Sequence, residues 1–130
     1  MALRHRNHLG VMTAAPVALT GTATTVDLTS NATETYGTEA RKTVGSKLLL
    51  WAGDANFNRT LNYTGANNDR DPILVRIGSS TPSTVINGYY SEDINMDGVV
   101  KYVGSANDRD PILINIGSTT PNAVRQAQLP

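Results

Sequence analysis

The chain has 130 residues with eleven basic and eleven acidic side chains and no cysteine, a size that fits one domain or two very small ones sharing a core. Balanced charge argues against a nucleic-acid partner, which would favour a basic excess or stripe. The sequence has no run of about 18 apolar residues, so no membrane span is expected. A module this small that lacks disulfides and thiolate metal sites needs another source of folding stability, and a bound metal ion can supply it.

The first 52 residues predict β structure. Thr is frequent between positions 20 and 43, and its branched side chain disfavours helix while fitting a pleated surface. Candidate strands cover residues 3–13, 16–20, 22–29 and 46–52. We therefore expect a mainly β fold with a small Ig-like β-sandwich over residues 1–52. So few strands make it thin and incomplete, and a strand from a neighbouring molecule would complete it.

An internal repeat follows. Residues 54–82 align without a gap with residues 93–121, at the offset 93 − 54 = 39, and the segments 68–74 and 107–113 are identical. Seven identical residues in register are not chance. The repeats are assigned to 53–82 and 92–121 within a region 53–121. Residues 83–90 are interpreted as a connecting loop and 122–130 as a C-terminal tail.

Each repeat contains a segment with residues typical of helix ends on both sides. Proline suits the first position of a helix, an aspartate before it suits the N-cap, and a glycine suits the end. These residues are Asp71, Pro72 and Gly78 in the first repeat and Asp110, Pro111 and Gly117 in the second. Two short helices are predicted over 72–77 and 111–116. A strand is the alternative for the second segment, because Ile112, Ile114 and Ile116 also alternate.

The second repeat opens with the pattern of a calcium loop, D-x-N-x-D-G, from Asp93 to Gly98. Oxygens at positions 1, 3 and 5 converge on a hard cation, glycine at position 6 takes the sharp turn, and position 7 offers its carbonyl. An all-oxygen set favours calcium over zinc or copper. Position 12 is Gly104 rather than a carboxylate, so a later aspartate must close the site. The candidate ligands are Asp93, Asn95, Asp97 and Val99, with either Asp108 or Asp110.

The first repeat offers a weaker version of this loop. Arg59 stands where the second repeat has Gly98, and Asn58 brings no charge. The candidate ligands are Asp54, Asn56, Asn58 and Thr60, with either Asp69 or Asp71. Calcium is predicted at both loops, and the second is predicted to bind it more tightly.

The two Asp-x-Asn loops resemble a duplicated dockerin-type calcium repeat. More closely, residues 5–13, the Trp51-Ala52-Gly53-Asp54 junction and the two Asn-Asp-Arg-Asp-Pro-Ile-Leu blocks resemble terminal modules of large secreted surface proteins from Bacteroidota. The resemblance implies an extracellular or cell-surface location and repeats that bind calcium. Gly104 and Arg59 depart from the ligand set of a dockerin.

Two functions of different classes fit these patterns. The first is a calcium-stabilised structural module that assembles into, or decorates, a bacterial surface fibre or pilus-like filament. The second is a dockerin-like docking module that binds a cohesin-like or other surface partner. No catalytic Ser/His/Asp motif is present, so no enzyme activity is expected.

Assembly is expected to run through β-strand pairing. In the segment 2–13, Leu3, Leu9 and Val11 alternate with polar residues, which would give a strand one apolar face. We expect this segment to pair with a sheet in a neighbouring molecule, making a homo-oligomer or polymer, or, as the less favoured alternative, with its own chain. His5 and His8, three residues apart on one strand, should point to opposite faces and not share a metal ion.

Overall fold

The computed structural model describes all 130 residues and contains eight strands and two helices. The strands form four two-stranded antiparallel sheets, so the mainly β character is confirmed. No sheet has more than two strands, and the Ig-like sandwich expected over residues 1–52 is not formed. The strands are β1 (Ala2–His5), β2 (His8–Met12), β3 (Lys42–Val44), β4 (Lys47–Leu49), β5 (Thr60–Asn62), β6 (Val85–Asn87), β7 (Val99–Lys101) and β8 (Val124–Gln126).

Residues 3–13 form a hairpin rather than the single strand that was predicted. The chain turns at Arg6 and Asn7, and β1 pairs with β2 so that Leu3 lies opposite Val11. The amide of Leu9 donates to the carbonyl of Trp51 at 2.8 Å, and both Leu9 and Val11 are buried. In the single chain this segment therefore pairs with itself, which was the less favoured alternative.

The strands predicted at 16–20 and 22–29 are absent. This stretch is almost entirely exposed, and Leu19 is 96% exposed, so no neighbouring strand completes a ladder. The guanidinium of Arg41 instead donates to the carbonyls of Leu28, at the end of this stretch, and of Ser30 and Thr33 beyond it, at 2.6–3.1 Å. The strand predicted at 46–52 is shorter, because β4 pairs with β3 across a turn at Gly45.

The strand within each repeat pairs with a strand from the segment that follows the other repeat. β5, in the first repeat, pairs with β8 at the end of the chain, and β7, in the second repeat, pairs with β6 from the connector. The offset of 39 residues relates Val85 in β6 to Val124 in β8, and Thr60 in β5 to Val99 in β7, so the two strand pairs are equivalent under the repeat. Residues 83–90 are therefore not only a loop, and residues 122–130 supply a strand to the first repeat.

Helices α1 (Arg70–Arg76) and α2 (Arg109–Ile116) confirm the two predicted helices. Each begins before the predicted first residue, with Asp69 and Asp108 at the N-cap instead of Asp71 and Asp110. The side-chain oxygen that caps each helix comes from the preceding asparagine. Asn68 Oδ1 accepts from the amide of Asp71 at 3.0 Å, and Asn107 Oδ1 accepts from that of Asp110 at 2.9 Å.

One hydrophobic core joins the hairpin to both repeats. Eight of its residues are four repeat-related pairs, and the hairpin and the junction add Leu9 and Trp51. The pairs are Ala55 with Ile94, Leu61 with Val100, Ile73 with Ile112, and Ile77 with Ile116. Neither repeat therefore buries its own apolar face, and each relies on the other.

Candidate metal centre

The backbone of each predicted loop turns twice through the left-handed region. In the first loop Phe57 and Arg59 have φ of 60° and 69°, and in the second loop Met96 and Gly98 have φ of 61° and 85°. These are positions 4 and 6 of the loop. Non-glycine residues in this region cost free energy, and three such residues persist at equivalent positions. Their shared geometry wraps each chain around the oxygens at positions 1, 3 and 5.

Those oxygens are fixed by the amides of the same loop. In the second loop Asp93 accepts hydrogen bonds from the amides of Asp97 at 3.1 Å and Gly98 at 3.0 Å. The Asn95 side-chain oxygen accepts from the amide of Asp97 at 2.9 Å, and the Asp97 carboxylate accepts from that of Val99 at 2.9 Å. Each of these oxygens has two lone pairs, and only Oδ2 of Asp93 has a second partner, Arg6 at 3.1 Å, so the bonds orient the oxygens and leave most of them able to accept again.

The first loop repeats this network bond for bond. Asp54 accepts from the amides of Asn58 at 3.1 Å and Arg59 at 3.2 Å. Asn56 accepts from the amide of Asn58 at 3.0 Å, and Asn58 accepts from that of Thr60 at 2.7 Å. The change from Asp97 to Asn58 and from Gly98 to Arg59 therefore leaves the loop geometry intact while removing one negative charge and adding one positive charge.

Two of the aspartates predicted to close the sites lie against the loops. Asp69 and Asp108 are fully buried. Asp69 accepts from the amides of Ala55 at 3.0 Å and Asn62 at 2.9 Å. Asp108 accepts from those of Ile94 at 2.7 Å, Asn95 at 3.2 Å and Lys101 at 2.8 Å. Each carboxylate thus joins the start of its loop to the strand that follows.

Burial perturbs these carboxyl groups. Desolvation raises the pKa of Asp69 to about 7, with the neighbouring Asp54 adding to the shift. Desolvation likewise raises the pKa of Asp108 to about 6, with Asp93 adding to it. Burial also raises the pKa of Asp54, against the hydrogen bonds from its loop amides. Paired carboxylates that disfavour each other's charge are stabilised by a bound cation.

Asp71 and Asp110 lie elsewhere. Their side chains are 60% and 54% exposed, beside Arg70 and Arg109. Each accepts a hydrogen bond at 2.8 Å from the side-chain amide of its capping asparagine. Of the two alternatives for each loop, the structure therefore brings Asp69 and Asp108 to the loop and leaves Asp71 and Asp110 at the helix surface.

The predicted carbonyl ligands follow from strand register. The amide of Ala127 donates to Arg59 at 2.9 Å and that of Gly88 to Gly98 at 3.0 Å. Hydrogen-bonded and non-hydrogen-bonded pairs alternate along an antiparallel ladder, so the next residues, Thr60 and Val99, face away from the partner strand. Their carbonyls are thereby directed to the loop side.

No three His, Cys, Asp or Glu side chains converge closely enough to hold a metal ion on their own. A cation at either loop would therefore need amide and backbone oxygens beside its carboxylates, which is the donor set that calcium accepts and zinc does not. The residues present fit that requirement through Asn56 and Asn95 and the position 7 carbonyls.

The hairpin turn reaches both loops, which nothing in the sequence indicated. The Asn7 carbonyl accepts from the amides of Gly53 at 2.7 Å and Asp54 at 3.1 Å, where the first loop begins. The Asn7 side chain, completely buried, donates to the carbonyl of Asp93 at 2.7 Å, where the second loop begins. One residue thus links position 1 of both loops.

His5 and His8 face each other, contrary to the prediction that they point to opposite faces. Their Nδ1 atoms are 2.8 Å apart because the hairpin places the two residues across from each other. Burial lowers the pKa of His8 to about 4, with the charges of His5 and Arg6 adding to the shift. The Asn7 side-chain nitrogen donates to the Asp93 carbonyl, so the atom that lies 2.9 Å from His8 Nδ1 is the Asn7 oxygen. Because this oxygen can only accept, His8 Nδ1 must carry the proton of that hydrogen bond. That proton keeps His8 Nδ1 from ligating a metal ion.

No helix of the chain has the length and apolar character needed to cross a membrane.

No protein-family model, curated protein or solved structure matches the chain.

Proposed function

We propose that this chain is an extracellular, non-enzymatic structural module that is stabilised by two calcium ions and assembles into, or decorates, a bacterial surface fibre. One observation carries the calcium part of the proposal. The same hydrogen-bond network orients the oxygens of positions 1, 3 and 5 in both repeats, at distances of 2.7–3.2 Å. In each loop the network directs several side-chain oxygens inward from closely spaced positions, which is the arrangement that a calcium loop requires.

Chemistry supports calcium as the ion. In the second loop the donors are Asp93, Asn95, Asp97 and the Val99 carbonyl, with the buried Asp108 completing the charge. In the first loop they are Asp54, Asn56, Asn58, the Thr60 carbonyl and Asp69. All are carboxylate, amide or carbonyl oxygens, the donors that a large hard cation accepts. Ligands gathered from separate parts of the chain exist only in the folded state, so binding would stabilise the fold.

Calorimetric titration with calcium tests this part. We expect two sites, and we expect Asp93→Ala to remove one while Asp54→Ala removes the other. Magnesium, which demands a tighter octahedral shell, should bind more weakly. Absence of any calcium binding to the metal-free protein would refute the proposal.

The β1 strand supports assembly through strand pairing. It has a partner on one side only, β2, and all four of its residues are exposed. An edge of this kind can template pairing with another chain. Assembly would therefore use the outer edge of the folded hairpin and would not require the N-terminal segment to leave its own molecule.

Negative-stain microscopy with edge variants tests this part. Leu3→Lys places a charge on the edge strand and should abolish filaments. Leu19→Lys is the matched control, because Leu19 is exposed but lies outside any strand. Filaments that survive the first substitution, or vanish with both, would place the assembly contacts elsewhere.

A docking module is the second candidate, favoured by one surface feature. A groove of about 450 Å³ lies between the two N-terminal hairpins and is lined by exposed apolar side chains, among them Leu3, Val44, Leu49 and Met96. Exposed apolar patches mark interaction sites. A monomer that shows no filaments and binds a surface protein through this groove would favour docking over assembly.

A further inference from the structure

Arg6, at the turn of the N-terminal hairpin, contacts the second loop directly. Its Nη2 lies 3.1 Å from Oδ2 of Asp93, and the two side chains are 13% and 2% exposed. Its guanidinium stacks 3.9 Å from the centre of the Tyr89 ring. The other two guanidinium nitrogens, Nε and Nη1, are buried without a hydrogen-bond partner. Holding a guanidinium there is costly, which points to a specific role beside Asp93.

The first loop has no such partner. Asp54 occupies the equivalent position, yet the four ion pairs of the chain include none to Asp54. This breaks the repeat symmetry that the core and the loop hydrogen bonds keep. The hairpin occurs once in the chain, so only one of the two loops can receive its arginine.

Arg6 also changes the charge balance between the loops. The first loop carries Asp54, Asp69 and Arg59, a formal charge of −1. The second carries Asp93, Asp97 and Asp108, a charge of −3, and the pairing with Arg6 brings it to −2. Arg6, a residue far away in sequence, therefore halves the charge difference between the loops from two units to one, and the second loop remains the more negative.

We propose that Arg6 is the resident counter-ion of the second loop. It positions Asp93 and keeps that loop folded when no metal is bound, and it lowers the affinity of the loop for calcium. The second statement rests on the proposed calcium binding, whereas the first does not. Asp54 in the first loop has no ion pair, so that loop is ordered by its backbone hydrogen bonds alone.

The physical basis is competition for one carboxylate. A guanidinium and a divalent cation both draw on the charge of Asp93, and they repel each other across a poorly solvated site. A unit positive charge about 6 Å from a divalent ion lowers its affinity about tenfold even at the dielectric constant of water. Removing the charge at Arg6 should therefore tighten the second site.

Hydrogen exchange of the metal-free protein tests the positioning role. The amides of Asp97 and Gly98 donate to Asp93, so Arg6→Gln should speed their exchange about tenfold, as expected when a charge-assisted bond is lost. Asn58 and Arg59 donate to Asp54 in the same way and should not change. Arg6→Lys should restore protection in part. Arg4→Gln, at an exposed arginine without an ion pair, is the control.

Unchanged exchange at Asp97 and Gly98, or equal acceleration in both loops, would overturn the positioning role. The second outcome would mean that Arg6 only supports the fold as a whole. Neither result depends on whether calcium binds.

Calcium titration followed by nuclear magnetic resonance, with each loop assigned, tests the effect on affinity. We expect Arg6→Gln to tighten the second site about tenfold and to leave the first unchanged, whereas Arg6→Lys should leave both unchanged. A second site that weakens or stays the same in Arg6→Gln overturns this half of the proposal. A wild-type protein that binds no calcium refutes the proposed function instead, and the exchange experiment then decides the role of Arg6 alone.

Discussion

The buried carboxylate of Asp108 accepts three backbone hydrogen bonds, from Ile94, Asn95 and Lys101. Asp108→Ala would leave these donors without partners in a site closed to water. Each stranded donor costs about 1–3 kcal/mol, and neighbouring losses are not additive. We therefore expect the metal-free chain to lose about 3–5 kcal/mol of its free energy of unfolding, a large share of the roughly 5–15 kcal/mol available to a domain.

Urea unfolding in the presence of a chelator measures this loss. Asp110→Ala is the matched control, because its half-exposed carboxylate bonds only to side chains, and it should cost less than about 1 kcal/mol. Asp69→Ala, which strands two amides rather than three, should fall between them. Equal losses for Asp108→Ala and Asp110→Ala would refute the assignment of Asp108 as the residue that joins the loop to its strand.

Three further predictions concern strain, protons and metal. Arg59 and Gly98 both have positive φ, so Arg59→Gly should stabilise the chain by about 1 kcal/mol and Gly98→Ala should destabilise it by about as much. The cost at Gly98 should come from backbone strain alone, because nothing lies within 4 Å of a Cβ there. Urea unfolding compares the two variants. The raised pKa of Asp69, about 7 against 3.8, means that the metal-free fold holds a proton the unfolded chain has released. Its thermal midpoint should therefore fall as the pH rises from about 4 to about 7, with a flatter slope in Asp69→Asn. Calcium at 100 times its dissociation constant should add about 2.7 kcal/mol per site, and coincident melts in chelator and in millimolar calcium would contradict this.

The local features could be predicted from the sequence. Helices α1 and α2 follow from proline and glycine punctuation, which acts through backbone geometry within a few residues. The predicted ligand spacing of each loop coincides with the observed turns because the positions 1, 3 and 5 interact through bonds between near neighbours. The choice of Asn68 and Asn107 as capping side chains was missed, since asparagine and aspartate are equally good caps.

The long-range features could not be predicted. Val85 and Val124 keep the repeat offset, which was the available signal for strands β6 and β8, but a segment of three residues does not show which strand it pairs with. The hairpin at Arg6 and Asn7 was interpreted as one strand because apolar residues alternate on either side of the turn. The stretch 16–29 has the composition of a strand, yet β propensity expresses packing against neighbours, and only the end of this stretch contacts one, through the bond from the Leu48 amide to the Thr29 carbonyl at 3.0 Å.

The exchange of strands between the repeats has a consequence during synthesis. Thr60 and its neighbours pair with residues 124–126, so the first repeat cannot close until those residues have left the ribosome. The second repeat takes its partner strand from residues 85–87 and meets no such delay. Truncation just before Val124 should therefore destabilise the distant Asp54 loop more than the nearby Asp93 loop. Proteolysis of the truncated chain should begin in the first repeat.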